Sequence, residues 1–261
     1  MKNHQKDTPK DLLGYKGQDQ IISSFDLIEM LKYSEEAPVI HSKLPLLDYH
    51  LDGGFEGGEL ITISGPPKSG KTLMAQTLTF NFLEQKKKTL WFQYEVTPKR
   101  FLKTFGEDVP LFYLPQKLEV YNLDWIRKRI LEALVKHGIS IIAIDHLHFL
   151  FDIASQRNTS LQIGNVVRFL KQIAIEYNLV VFLLCHMKKV SFEKEPSDED
   201  IRDSSLIGSE SDTVLIIWRN SGTENEATLK IRYARRSGVR DKKIKIAKLN
   251  GVLRQIEENN G

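Results

Sequence analysis

Leu60-Ile61-Thr62-Ile63-Ser64-Gly65-Pro66-Pro67-Lys68-Ser69-Gly70-Lys71-Thr72 is the stretch on which the reading of this sequence turns. The apolar run 60–64 has the length of a buried strand, and it ends in Gly65-x-x-x-x-Gly70-Lys71-Thr72. Beyond it, Leu73, Ala75, Leu78, Phe82 and Leu83 recur at helical spacing, so a helix is expected to begin near Lys71. A strand, a glycine-bracketed loop and a helix start, in that order, make a cradle for a polyphosphate. The glycines let backbone N–H groups converge, and the helix N-terminus adds partial positive charge. Gly65, Pro66, Pro67, Lys68, Ser69, Gly70, Lys71, Thr72 and Leu73 are therefore the expected nucleotide contacts. Lys71 would hold the β- and γ-phosphates and the Thr72 hydroxyl would ligate Mg²⁺, which makes ATP and Mg²⁺ the expected cofactors.

Working outward, the pattern alternates strand and helix. Strands are expected at 89–94, 139–144, 179–184 and 213–218, and helices at 122–137 and 161–177, with Asn122 as a cap and Gly138 as a stop. Ile- and Val-rich runs without polar alternation predict a mostly parallel sheet flanked by helices on both faces, an α/β fold. The tail differs: 228–236, 242–249 and 252–256 alternate, and Asn250-Gly251 marks a tight hairpin turn, so a C-terminal β-hairpin extension is expected. Upstream, residues 1–22 are polar and aperiodic and read as a mobile N-terminal arm, while 23–37 carries a helix capped at Ser24 with Leu27, Ile28 and Leu31 on one face. Residues 38–261 form the main domain.

Ligands of open α/β sheets bind beyond the carboxyl ends of the strands, which singles out the residues at those ends. Asp145 ends the run 139–144 and can support Mg²⁺ or its water shell. Glu95 ends 89–94, a strand expected beside the P-loop strand, and is the candidate for polarising the attacking water. His186 follows 179–184 and could touch a γ-phosphate. His146 and His148 are spaced as H-x-H, but no third ligand accompanies them, so zinc is not expected. Cys185 reads as a small core residue, and Trp91, Trp125 and Trp218 as core aromatics.

With 261 residues, 41% of them hydrophobic, the chain can build a substantial core, and no apolar run approaches the ~20 residues of a membrane-crossing helix. Its single cysteine excludes an internal disulfide and fits a reducing compartment, so the expected location is the cytoplasm, a host's if the source is viral. A net charge of +3 does not by itself imply a nucleic-acid partner. Its distribution is uneven: Lys and Arg crowd 230–254, where Asp241 is the only acid, and acids crowd 193–203.

The ordered set of motifs resembles the RecA-like motor domain of DnaB-type hexameric replicative helicases, over roughly 22–256. The lead-in Leu47-Asp48-x-x-Leu51-Asp52-Gly53-Gly54-Phe55, the P-loop, Tyr94-Glu95, Ile144-Asp145-His146-Leu147 and Cys185-His186-Met187-Lys188 fall in the family's order. Ile201-Arg202-Asp203-Ser204-Ser205-Leu206-Ile207, Asp212 and Tyr233-Ala234-Arg235-Arg236-Ser237-Gly238 follow in turn. The resemblance implies a RecA-like P-loop NTPase that hydrolyses ATP, binds single-stranded DNA and unwinds duplex as a homohexamer, with 23–37 docked on a neighbouring subunit and a primase or polymerase as a further partner. It implies an arginine finger in trans: Arg235 by the phage-like spacing, or Arg236 by the bacterial one. Tyr233 stands where the family has Lys. It also implies DNA-holding loops at 151–160, with Arg157, and at 188–202, with Lys188, Lys189 and Arg202. A recombinase or mediator that forms filaments on DNA, and a KaiC-like regulatory ATPase, are the competing readings.

Overall fold

The computed structural model describes residues 17, 20–32, 38–120, 122–150, 159–187, 195–196, 200, 204–219 and 225–256. The chain divides into two compact units, Met1–Glu36 and Ala37–Gly261. In the first, helix α1 (Ser24–Leu31) is capped by Ser23, one residue before the expected cap: the Ser23 hydroxyl accepts the Asp26 N–H while the Asp26 carboxylate accepts the Ser23 N–H, a reciprocal capping box. None of its residues is buried within the unit.

The second unit is one eight-stranded sheet in the order β2-β3-β4-β1-β5-β6-β7-β8. Strands β1 (Leu60–Gly65), β2 (Lys88–Gln93), β3 (Ile139–Asp145), β4 (Val180–His186) and β5 (Thr213–Arg219) pair in parallel. Strands β6 (Glu226–Ala234), β7 (Arg240–Leu249) and β8 (Val252–Gln255) continue the sheet antiparallel, with Asn250 (φ 48°) and Gly251 (φ 85°) in the last turn. The helices are α2 (Pro45–His50), α3 (Lys71–Glu84), α4 (Pro98–Lys103), α5 (Leu123–His137), α6 (Thr159–Glu176) and α7 (Ser204–Glu210). Leu147–Leu150 forms a single 3-10 turn.

The apolar runs divide residue by residue between two cores, because successive side chains of a strand point to opposite faces. On β4, Val180, Phe182 and Leu184 join Phe55, Phe82 and α3, whereas Val181, Leu183 and Cys185 join Ile130, Val167 and Leu170 from α5 and α6. Phe182 packs on Phe55 and Phe82 at ring-centroid distances of 5.0 and 5.6 Å. Trp91 is fully buried and donates its indole N–H to Thr79 Oγ1 at 3.1 Å. Trp125 and Trp218 are half-buried beside the second core. Burying such aromatic and aliphatic side chains on both faces contributes about 1.5–3 kcal/mol each.

One expectation is corrected here. Strand β2 is not beside the P-loop strand: β1 is flanked by β4 and β5, and β3 and β4 lie between it and β2. Crossover connections carry the chain over its neighbours, so order along the sequence is not order in the sheet. Helix α4 was not anticipated. It has only six residues, and its signals are the Thr97 cap, which accepts the Arg100 N–H, and Pro98 in the first turn.

Candidate nucleotide site

At the carboxyl end of β1 the chain must turn sharply into α3, and the glycines there are demanded by geometry. A Cβ on Gly65 would run into the Ile217 carbonyl and the Ser69 hydroxyl, and Gly70 caps α3 at φ 107°, a conformation that favours glycine. Lys71 folds back over the loop, its Nζ donating to the Gly65 carbonyl at 3.0 Å and the Pro66 carbonyl at 2.9 Å. Burial pulls its ammonium below the ordinary lysine value, against the carboxylates of Asp145 and Glu95, which hold it up.

Asp145, 1% exposed, lies across from the loop on β3. Its Oδ2 accepts the Thr72 hydroxyl at 2.8 Å and the Gln93 side-chain amide at 3.1 Å. Burial raises the Asp145 carboxyl, while those two hydrogen bonds and Lys71 draw it back down. Although β2 is remote from β1, it pairs with β3, and the ladder continues one bond past its end: Tyr94 N–H donates to the Asp145 carbonyl at 2.8 Å. Glu95 is thereby brought to Asp145, with which its side chain shares a hydrogen bond, and its own carboxyl is raised by burial and by the Asp145 charge. Gln93 is the residue that sequence reasoning missed. It donates to Asp145 and its Oε1 accepts the Glu95 N–H at 2.8 Å, so it ties the two carboxylates together. A polar side chain closing an apolar strand two residues before Glu95 was the available signal.

Strand register sets His186 opposite Gly65, at the mouth of the loop. Its ring lies 4.2 Å from that of His146, which stacks on Phe149 at 4.8 Å. Burial holds the His146 imidazole neutral, with a pKa lowered to about 3, and the neighbouring His186, His148 and Lys71 act in the same direction. Cys185 is fully buried one residue earlier, its thiol pushed well above the usual range by burial.

Lys71, Thr72, Asp145, Glu95 and His186 thus converge at one edge of the sheet. The cradle fits a Mg-bound nucleoside triphosphate on two grounds: hard oxygen donors, Thr72 and Asp145, stand together beside a lysine, and the buried Ser69 hydroxyl in the loop has no hydrogen-bond partner among the described residues.

Arg235 is not at this edge. It follows β6, whose Ala234 pairs with Thr213, the partner of Ile61 near the amino end of β1. Its N–H donates to the Asp212 carbonyl at 2.8 Å, and its guanidinium is exposed and touches the Ser209 carbonyl. From the level of Ile61 to Gly65 is four residues of strand, roughly 13 Å, further than an arginine side chain reaches. Arg236 is bound within its own chain, its Nη1 to Glu56 at 3.0 Å and its Nε to Glu59 at 3.1 Å. Tyr233, in place of the family's Lys, donates its hydroxyl to the Gly208 carbonyl. Arg157, Lys188, Lys189 and Arg202 lie outside the described residues, as do 151–158 and most of 188–203. Within the latter, Glu195 pairs with Lys230 at 2.9 Å and with Lys243 at 2.6 Å.

The DnaB-like helicase C terminal domain matches residues 109–257. Among curated relatives, the replicative DNA helicase DnaB of Rickettsia prowazekii is 23% identical over 209 residues, covering 64% of this chain and 43% of the relative. That of Treponema pallidum is 25% identical over 224 residues, covering 73% of this chain and 50% of the relative. The DNA repair and recombination protein RadB of Methanobrevibacter smithii is 26% identical over 188 residues, covering 66% of this chain and 74% of the relative. The chain therefore spans half or less of the length of these two DnaB relatives. Among solved structures, an isolated ATPase domain superposes with a TM-score of 0.73 at 18% identity, over 89% of this chain and 96% of that one. A DnaB-like replicative helicase studied with primase gives 0.73 at 17% identity, over 95% of this chain and 70% of that one. With a RecA-like ATPase fold and a family match spanning more than half its length, this chain belongs to the DnaB-like helicase C-terminal domain family.

Proposed function

We propose that the chain is the ATP-hydrolysing motor of a ring-forming replicative helicase that translocates on single-stranded DNA. The observation that carries this reading is the separation just described. The phosphate cradle lies at one end of β1, and the exposed Arg235 lies at the other, too far away to serve its own site. A second copy of the chain is then needed to complete each site, which is the logic of a ring.

In this reading Lys71 and the backbone N–H groups of the loop, Pro66 and Pro67 excepted, bind and orient the phosphates, and Thr72 and Asp145 would hold Mg²⁺, which would supply positive charge beside them. Glu95 orients the attacking water. Its raised proton affinity, from burial and from Asp145, suits a group that must accept a proton. His186 touches the terminal phosphate and passes its loss to the loop after β4. Arg235 of a neighbouring copy meets the transferring phosphoryl, a role suited to a guanidinium because it stays charged and binds in pairs. Arg157, Lys188, Lys189 and Arg202 would meet the DNA backbone, and a primase is the further partner suggested by the structural relative.

ATPase turnover measured with and without single-stranded DNA, beside a sizing measurement, tests the proposal: DNA stimulation by a hexamer is expected. Steady turnover indifferent to DNA across a salt series would favour a regulatory ATPase instead. The greater coverage of RadB supports a second reading, a recombination ATPase. Electron microscopy with ATP and oligonucleotide separates the two, closed rings against open filaments.

A further inference from the structure

We propose that Arg236 is a positioning residue that locks the turn carrying Arg235 onto the lead-in of its own P-loop strand, so that the neighbouring site meets the finger in a single orientation. This rests on the reading of Arg235 as the trans-acting cation. Adjacent in sequence, the two arginines do opposite things. Arg236 spends its donors inside the chain: Nε reaches Glu59 at 3.1 Å, Nη1 reaches Glu56 at 3.0 Å, and Nη2 reaches the Leu51 carbonyl at 2.7 Å and the Gly54 carbonyl at 2.5 Å. Its side chain is 27% exposed and that of Glu59 is 12% exposed, so the contact is half out of water.

These four acceptors span residues 51–59, the segment that runs directly into β1 at Leu60. Arg235 is fastened on its other side as well. Its N–H is held by the Asp212 carbonyl at 2.8 Å, and Asp212 holds the Leu60 N–H through its side chain at 2.7 Å and pairs with Lys171 at 2.6 Å. The turn itself is closed by the Ala234 N–H on the Val239 carbonyl at 2.9 Å. The backbone bearing Arg235 is therefore pinned to the base of β1 before and after its Cα. The flat fork of a guanidinium can satisfy two carboxylates and two carbonyls from one position, which a lysine ammonium on its flexible stem cannot. Misplacing a reacting or stabilising group by about 1 Å costs up to about 10²-fold in rate.

The test is ATP turnover by Arg236→Ala, Arg235→Ala and the double variant, with ATP binding and assembly followed in parallel. Arg236→Ala is expected to lower kcat about 10- to 100-fold with KM and hexamer formation unchanged. Arg236→Lys is expected to recover little of it. Because Arg236 acts only through Arg235, the double variant should turn over no more slowly than Arg235→Ala alone. Should Arg236→Ala fail to fold, Glu56→Gln with Glu59→Gln loosens the same clamp without truncating it and should show the same kcat loss. Losses that multiply in the double variant, or a full kcat in Arg236→Ala beside an inactive Arg235→Ala, overturn the positioning role alone. Full turnover by Arg235→Ala overturns the finger reading and the positioning role together.

Discussion

The two ends of β1 are built by opposite rules. At the carboxyl end polar groups are crowded, buried and left wanting: the Ser69 hydroxyl and His146 Nδ1 lack hydrogen-bond partners among the described residues, and Lys71, Glu95 and Asp145 are all displaced from their ordinary pKa values by burial. At the amino end the charges have their complements, Asp212 with Lys171 and the Leu60 N–H, Glu59 with Arg236. Unmet polar groups in a buried place mark where a ligand brings the missing partners, whereas mutually satisfied ones mark a foundation. Both belong to the same six-residue strand.

Substitutions at the two ends should accordingly fail in different ways. The largest effect is expected from Lys71→Ala or Asp145→Ala, which should bring ATP turnover down by at least about 10³-fold with the fold intact, as read by circular dichroism. A sharper test mixes two inactive proteins. On the proposed reading Arg235→Ala keeps its own P-loop and Lys71→Ala keeps the guanidinium it would lend, so a mixed assembly should regain a measurable fraction of wild-type turnover, whereas an arginine acting within its own chain predicts none. At the foundation, Asp212→Ala takes the acceptor from the Leu60 N–H and the carboxylate from Lys171, which keeps the Gly58 carbonyl at 2.8 Å. It should cost about 2–3 kcal/mol of unfolding free energy in urea, with a much smaller loss of turnover than at the other end.

The smallest effect expected is a pH slope. His146 is lowered to about 3 in the fold from an ordinary 6.5, so the unfolded chain takes up a proton that the native ring refuses. Its neutral burial is therefore harmless above 6.5 and costs stability as pH falls from 6.5 toward 3, by at most about 1.4 kcal/mol per pH unit. His146→Asn should flatten the stability profile between about pH 4 and 6 and leave it unchanged above about pH 7.5. An unaltered slope would show that the ring is not as dry as its surroundings indicate.

The cradle was legible in the sequence because its chemistry is local: Gly65, Gly70, Lys71 and Thr72 sit within eight positions, and the backbone conformation they require is written in their residue types. The parallel strands were legible for a similar reason, since β-branched runs bracketed by helical periodicity admit few alternatives. What was hidden was arrangement. Nothing in 89–94 says that β2 lies at the sheet edge, and Glu95 comes near Asp145 because β2 pairs with β3 in a register that sets Gln93 opposite Asp145. The difference between Arg235 and Arg236 was hidden for the same reason. It depends on carboxylates and carbonyls some 180 residues away, joined by hydrogen bonds between residues 177, 182 and 185 positions apart.

The lone thiol beneath the cradle also offers a practical handle. Cys185 is sealed in the second core and strongly disfavours its reactive thiolate, so an alkylating reagent can modify it only when β4 opens. With no other sulfhydryl in the chain to confuse the signal, the labelling rate of the unaltered protein becomes a clock for local opening under the phosphate loop. Nucleotide that braces the loop should slow that clock, and the slowing measures occupancy without any reporter having been engineered in.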